Sequence, residues 1–558
     1  MMFAFRVSTS VGIGHVMRMK WLALALQNKG FQSIFIFDYL ADNQENSLLP
    51  FLTELNSLFF YLEKAPNDEH EDAQLSLAFI TAFPSIEHVI LDSYDLGYNW
   101  EQTLKNANKR VIVFDDLARE HCSDIVFDAK WVGLKTNERY QHKVPESCRT
   151  FLGPQYAILS PAYSNVKRVK NNNNLAIKKV LMSLGGGGDL QLIADIVEVL
   201  SQEMKSLPRI EISIVIGPKA ENAHVIEALA TRYRNIILLY QPKCLADYYL
   251  QTDLFVGALG TSLYELAATK TPAITFSIAA NQQNNYCDLD DLAHHLHLPF
   301  LALEDIPSFG KLIEMALLQL PRLTLLRESA TVNVDGNGVF NIVNILLCDE
   351  LHTLTNSLPT NVVNTLSNDK DIIALNDSLT IRKVNDKDIN HYRESRNLPN
   401  NSERMTIQSE IEPLEHYLWW FNINNQRESY VLYKSEQPLL YIWHQMFSQK
   451  SALDSKNGNC LKQYLYGGWF TAQGNVSFNI AMAALQWQLE YTRTLFPRGH
   501  WLAVINQENK FVNLLNQYMG FSQIPANSEA LKITQSLFPQ ASTSHFNYVE
   551  LDFGNSNE

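Results

Sequence analysis

The sequence predicts an α/β protein built from two parallel-sheet units and followed by one further strand-and-helix domain. Three observations carry this. Short apolar strands alternate with helical patterns from the N-terminus. A second series of the same kind begins after the polar tract VKRVKNNNNLAIKK (166–179). From 351 to 378 the composition turns to Asn, Thr, Ser and Leu without a period, and a strand then restarts at LTIRKVNDKDI. A chain of 558 residues also exceeds one ordinary core.

In order, the apolar run Phe3, Ala4, Phe5, Val7 predicts the first strand, and VGIGHVMRMKWLALALQNKG (11–30) a glycine turn, a helix and a stop at Gly30. Strands are expected at Ser33–Asp38, His88–Asp92, Arg110–Asp115, Ser123–Asp128 and Thr150–Gly153. The second series reads VLMSLGGGGD, IEISIVIGP, NIILLY, DLFVGALG and PAITFSIA. The expected domains are 1–165, 175–350 and 379–558, with 351–378 as a connection. Two such units leave a cleft, and ligands of open α/β sheets bind at the carboxyl ends of the strands.

Composition excludes several functions. With 46% hydrophobic and 19% charged residues and no run of eighteen apolar ones, nothing suggests a membrane span. The apolar N-terminal stretch is short and carries Arg6, so no secretory signal is expected and the cytoplasm is the default. Six scattered cysteines without a Cys-x-x-Cys pair indicate neither a zinc site nor a disulfide framework. A net charge of −14 argues against nucleic acid, so any anionic ligand must be held locally. Six of the nine tryptophans lie beyond residue 378, which reads as an aromatic-rich core, with a stacking surface as the alternative.

Three glycine turns carry candidate chemistry. In the first, Gly12 and Gly14 let the backbone approach a ligand, the free N–H groups of the following helix favour negative charge, and His15 can accept a proton near neutrality. Arg18 lies one turn on, on the same face. The second turn, SLGGGGD (183–189), contributes Gly186. In the third, GALGTSLYELAATKTP (257–272), Gly257 and Gly260 break the strand, Thr261 or Ser262 caps the next helix, and Glu265 falls one turn in. That turn supplies N–H groups for a diphosphate and an acceptor for ribose hydroxyls, or else a capping-box acid. In AANQQNN (279–285), the amides Asn281 and Gln282 can orient a sugar, unless this is a polar surface loop.

In this order GIGHVMR, LDSYDL, DDLA, FLGPQYAILSP, SLGGGGD, GALGTSLYE and AANQ resemble the UDP-2,4-diacetamido-2,4,6-trideoxy-β-L-altropyranose hydrolases of pseudaminic acid (nonulosonic acid) biosynthesis, over residues 3 to 345. The resemblance implies two Rossmann-like domains in a GT-B arrangement and hydrolysis of a UDP-sugar by water attack at the anomeric carbon, without metal or cofactor. It implies that His15 activates or positions the water and that Gly14 and Arg18 belong to the same motif. Asp92 and Tyr94 would reach the cleft, Glu265 would contact the ribose, Gly260 to Ser262 the diphosphate, and Asn281 with Gln282 the sugar or phosphate. Two other readings stay open: a GT-B glycosyltransferase using a UDP-sugar, and a UDP-sugar-binding scaffold.

The C-terminal region resembles the GNAT acyltransferases, particularly the N-acetyltransferase preceding the hydrolase in the same pathway. The carriers are LTIRKVNDKDI, YRESRN, LEHYLWWFN and WLAVINQENKFVNLLNQYMGF, over about 379–525. This implies acetyl-CoA as co-substrate, held by Gln473, Gly474, Asn475 and Asn509, and a bifunctional chain that acetylates the 4-amino UDP-sugar before hydrolysing it. Other enzymes of the pathway are then possible partners. The pattern departs from the family where Val476 and Phe478 stand in place of glycines, and where Asn516 stands in place of the usual tyrosine, with Tyr518 two residues on. A degenerate domain kept for substrate binding or assembly is the alternative.

Overall fold

The computed structural model describes all residues except 1, 10–12, 41–47, 169–176, 204–209, 261, 279–284, 349–371, 377, 451–460, 542–544 and 556–558. It divides into two compact units, Met1–Asn364 and Thr365–Glu558.

The first unit holds two parallel sheets. The first sheet comprises β1 (Met2–Val7), β2 (Gln32–Phe37), β3 (Leu58–Tyr61), β4 (Ile86–Asp92), β5 (Arg110–Phe114), β6 (Ile125–Asp128) and β7 (Arg149–Leu152), in the order β3-β2-β1-β4-β5-β6-β7 among the described residues. Its strands read as near-continuous apolar runs because both faces are covered. In β1, Phe3, Phe5 and Val7 point to one face, where Val16, Met19, Leu22 and Leu26 of the helix Ile13–Gln27 pack, while Ala4 points to the other face with Trp100 and Leu104. That helix ends three residues before Gly30, whose positive φ of 87° reverses the chain.

The second sheet comprises β8 (Lys178–Ser183), β10 (Ile210–Ile216), β12 (Ile236–Tyr240), β13 (Leu254–Ala258), β14 (Ala273–Phe276) and β15 (Leu296–Leu298), in the order β12-β10-β8-β13-β14-β15. Two short strands, β9 (Gly187–Asp189) and β11 (Lys219–Glu221), pair beside it. The fold class is therefore the expected pair of Rossmann-like sheets. Strands β3, β9, β11 and β15, each three or four residues long, were not expected.

One helix departs from the expected division at 165 and 175. Gly338–Leu347 follows the second sheet in the chain, yet Val339, Ile342, Val343 and Leu346 join the core of the first sheet with Phe3, Phe5 and Val16. The returning chain runs against the outgoing one, with the Asn165 amide donating to the Asp335 carbonyl at 2.8 Å. A Cβ at Gly338 would sit 2.0 Å from the Ala157 carbonyl oxygen, so only glycine fits this crossing.

The second unit is α+β. Its sheet adds β16 (Ile373–Ala374), β17 (Leu379–Lys383), β18 (Glu428–Lys434), β19 (Gln437–Lys450), β20 (Leu461–Thr471), β21 (His500–Asn506), β22 (Ser522–Gln523) and β23 (Phe546–Asp552), in the order β16-β17-β18-β19-β20-β21-β23-β22. Strand β16 lies inside the stretch expected as a connection: Ile373 and Ala374 pair with Ile381 and Thr380. Every described pairing is antiparallel except β20 with β21, which run parallel because the helix Phe478–Leu495 carries the chain between them. That pairing covers only Tyr464–Tyr466 against His500–Leu502, and the strands then part. Of the six tryptophans beyond residue 378, Trp487 and Trp501 are buried, while Trp419 and Trp420 are partly exposed and pack around Tyr392 with Tyr441 and Phe470.

Candidate active site

The first glycine turn lies at the carboxyl end of β1, and the helix it feeds begins at Ile13, so Gly14 falls within the first helical turn. His15 is buried there, with Nδ1 2.6 Å from Oδ1 of Asp92 at the end of β4. Arg18 closes the group: its Nε and Nη2 donate to the two Asp92 oxygens. The Asp92 side chain has no solvent exposure, and burial alone would raise its pKa. The charges of Arg18 and His15 overcome this and hold the carboxyl below its ordinary value. An ionised Asp92 that accepts from Nδ1–H leaves Nε2 as the ring nitrogen able to accept a proton.

The Asp92 oxygens meet His15 and Arg18, and the Arg18 Nε and Nη2 are directed to Asp92. Tyr94 likewise supports the histidine: its ring meets the imidazole edge-on, with centroids 4.7 Å apart, and its hydroxyl donates to Asp116 Oδ2 at 3.0 Å. Burial and the Asp116 carboxylate push the Tyr94 phenol well above its ordinary value, so it stays protonated as a donor.

Sequence reasoning quoted Asp116 in DDLA but gave it no role. Its Oδ1 is buried without a hydrogen-bond partner. Beneath the site lies a second layer. Arg119 donates to the carbonyls of Ser93, Tyr94 and Leu96 and to Asp115, tying the loop after β4 to the loop after β5. His121 stands between Glu101 Oε1 at 2.5 Å and Asp115 Oδ2 at 3.3 Å. Burial lowers its pKa, but these two carboxylates outweigh burial and push it up to about 9. Arg6 bridges Asp72 and Asp38, and Asp38 accepts from the Thr9 amide at 2.6 Å, fixing the start of the glycine turn.

The second sheet approaches this group through its own glycines. A Cβ at Gly186 would come within 2.7 Å of Ile13 Cγ2, so the SLGGGGD turn rests against the first turn of the His15 helix. The Gly186 carbonyl accepts from the Lys219 amide at 2.9 Å, and Gly185 and Gly188 have positive φ. In the third turn, Ser262 donates to the Ala258 carbonyl at 2.9 Å and accepts from the Gly260 amide at 3.3 Å. The Ser262 hydroxyl therefore closes its own turn and is not directed to a diphosphate. Glu265 faces the hydroxyls of Tyr163 and Tyr249; burial pushes its pKa up to about 7, against those two donors. Thr261, Asn281 and Gln282 lie outside the described residues. Among the described residues, no group of His, Cys, Asp and Glu could hold a metal ion, and no helix is long and apolar enough to cross a membrane.

In the second unit, the parting of β20 and β21 opens a cavity of about 890 Å³. Asn475 and Asn509 line it. Asn509 caps the helix Lys510–Tyr518 by accepting from the Val512 amide at 3.2 Å. Gln473 and Gly474 do not line it; Gln473 accepts from Gln437 at 3.1 Å, and Gly474 takes a positive φ of 57° with its carbonyl held by Asn400. Val476 and Phe478 pack into the apolar clusters around Trp469 and Phe511, filling space that glycines would leave open. Asn516 lines the cavity and donates to its own helix, while Tyr518 is exposed.

No protein-family model matches the chain, and no curated protein matches it in sequence. Similar solved structures include Acinetobacter baumannii MurG, 14% identical over 62% of this chain and 98% of its own, with a TM-score of 0.43. Others are a putative UDP-N-acetylglucosamine 2-epimerase from Listeria monocytogenes (12% identical, 62% and 95% covered, TM-score 0.44) and a glycosyltransferase from Rickettsia africae (14%, 64% and 99%, TM-score 0.39).

Proposed function

We propose that the first unit hydrolyses a UDP-sugar, UDP-2,4-diacetamido-2,4,6-trideoxy-β-L-altropyranose, in pseudaminic acid biosynthesis. The observation that carries this reading is the His15–Asp92 pair at the mouth of a glycine turn, facing the glycine turn of the second sheet. In this reading Nε2 takes a proton from water as the water oxygen attacks the anomeric carbon. The bond from that carbon to the diphosphate oxygen breaks, UDP leaves with the electron pair, and the anomeric centre inverts. Buried Asp92 then balances the imidazolium. Backbone N–H groups of the SLGGGGD turn would hold the diphosphate, and Glu265 the ribose.

The second unit, in the same proposal, is a GNAT-like acetyltransferase that makes this substrate from the 4-amino UDP-sugar and acetyl-CoA. Its support is the single parallel pair β20/β21, which opens into a cavity beside Asn475 and Asn509. The test of the first step is incubation of the full chain with the diacetamido UDP-sugar, following anomeric NMR signals and UDP. UDP and free sugar should appear without any acceptor. Silence until an acceptor is added would make the chain a glycosyltransferase, and UDP binding without product a scaffold.

A further inference from the structure

Among the described residues, two arginines lining the cavity of the second unit have no carboxylate partner. Arg396, on the helix Ile389–Asn397, is only 8% exposed; its Nη2 donates to the Ile407 carbonyl at 2.5 Å, and its Nη1 is buried with no hydrogen-bond partner. Arg427, just before β18, lies with its guanidinium carbon 3.8 Å above the Trp443 ring and 5.1 Å from Trp419, and its Nε is also buried without a partner. Both line the cavity. Burial lowers the Arg396 pKa, opposed by Tyr392, and the charge of Arg427 adds to the lowering.

The carboxylates nearby do not answer them. Glu410 stands 4.0 Å from Arg393, Asp388 is paired with Arg382, and Glu415 is exposed on the cavity lining. Among the described residues, neither Arg396 nor Arg427 has a carboxylate partner. Arg396 is buried and Arg427 half-buried, and a buried charge without a partner is costly unless a ligand supplies the counter-charge.

We infer that Arg396 and Arg427 form a subsite for the phosphoryl groups of a nucleoside-diphosphate ligand. Two guanidiniums match a dianion better than a single carboxylate, and their planar forks suit phosphate oxygens. Tyr466 and Trp469 also line the cavity, which has the size of a nucleotide site. The choice of a nucleotide rests on the acyl-transfer reading of this unit; the arginine pair does not. The same phosphoryl chemistry is carried by a UDP-sugar acceptor and by coenzyme A, and the test separates the two.

Calorimetry of the full chain with UDP and with coenzyme A is compared among wild type, Arg396→Gln and Arg427→Gln. The variants should bind one of the two probes at least tenfold more weakly in this unit. Loss confined to UDP assigns the subsite to the sugar nucleotide, and loss confined to coenzyme A assigns it to the acyl donor. Unchanged affinity for both probes in folded variants overturns the subsite. Arg427→Gln removes no described side-chain hydrogen bond, so it decides the matter if Arg396→Gln, which frees the Ile407 carbonyl, does not fold. UDP binding that depends on the arginines without any acetyl transfer would separate a failed acyltransferase reading from a failed subsite.

Discussion

The two parallel sheets of the first unit end in different chemistry. In the first, β2, β4, β5 and β6 run into Asp38, Asp92, Asp115 and Asp128, and each aspartate has a basic partner: Arg6, Arg18 with His15, Arg119 with His121, and Arg139. In the second, β8 runs into Gly185, β10 into Gly217, and β13 contains Gly257 and leads to Gly260. One set of strand ends carries aspartates paired with basic side chains; the other carries glycines, of which Gly185 and Gly260 donate their amides to Ser183 and Ser262. In the proposed reading the difference would divide the labour: proton transfer where side chains are locked, anion binding where side chains are missing.

The sharpest way to break that comparison is at His15. His15→Ala should lower hydrolysis by roughly two to four orders of magnitude, the usual scale for a general base, with UDP affinity nearly intact. Near-normal turnover in the folded variant would remove His15 from the chemistry. Next comes the layer under the first sheet edge. His121 is held at about 9 against an ordinary 6.5, so its contribution is complete below pH 6.5 and is lost as pH rises through 9. Denaturant unfolding of the first unit at pH 6 and pH 9.5 should differ by on the order of 3 kcal/mol. His121→Gln should flatten that slope; an unchanged slope would place it in other groups. The smallest effect belongs to the second sheet. Glu265→Ala should weaken UDP binding by about 1 to 3 kcal/mol, raising KM more than it lowers kcat. Unchanged affinity by calorimetry would leave Glu265 as a partner of Tyr163 and Tyr249 only.

Much of this was legible in the sequence where the signal is local. The apolar runs located β1, β2, β4 to β8, β10 and β12 to β14, and the glycine turn located the helix carrying His15. The pairing of that histidine was not legible, because Asp92 lies 77 positions away and only the parallel register of β1 with β4 brings them together. For the same reason the contacts of Asp92, Tyr94 and Arg18 were not legible, since each meets side chains from distant chain segments. Val476 and Phe478 were readable as departures from a glycine loop. The arginines near them were not readable as a pair, since Arg396 and Arg427 sit on separate elements within one cavity.

The returning helix Gly338–Leu347 has a bearing on biosynthesis. Because its apolar face completes the core around Phe3, Phe5 and Val16, that core stays incomplete while the ribosome is still making the second sheet. The N-terminal segment, synthesised first, must wait through more than 300 residues of translation for its last packing partner, whereas the second sheet emerges as one continuous stretch. The core beneath β1 and the His15 helix is thus complete only when residue 347 has left the exit tunnel.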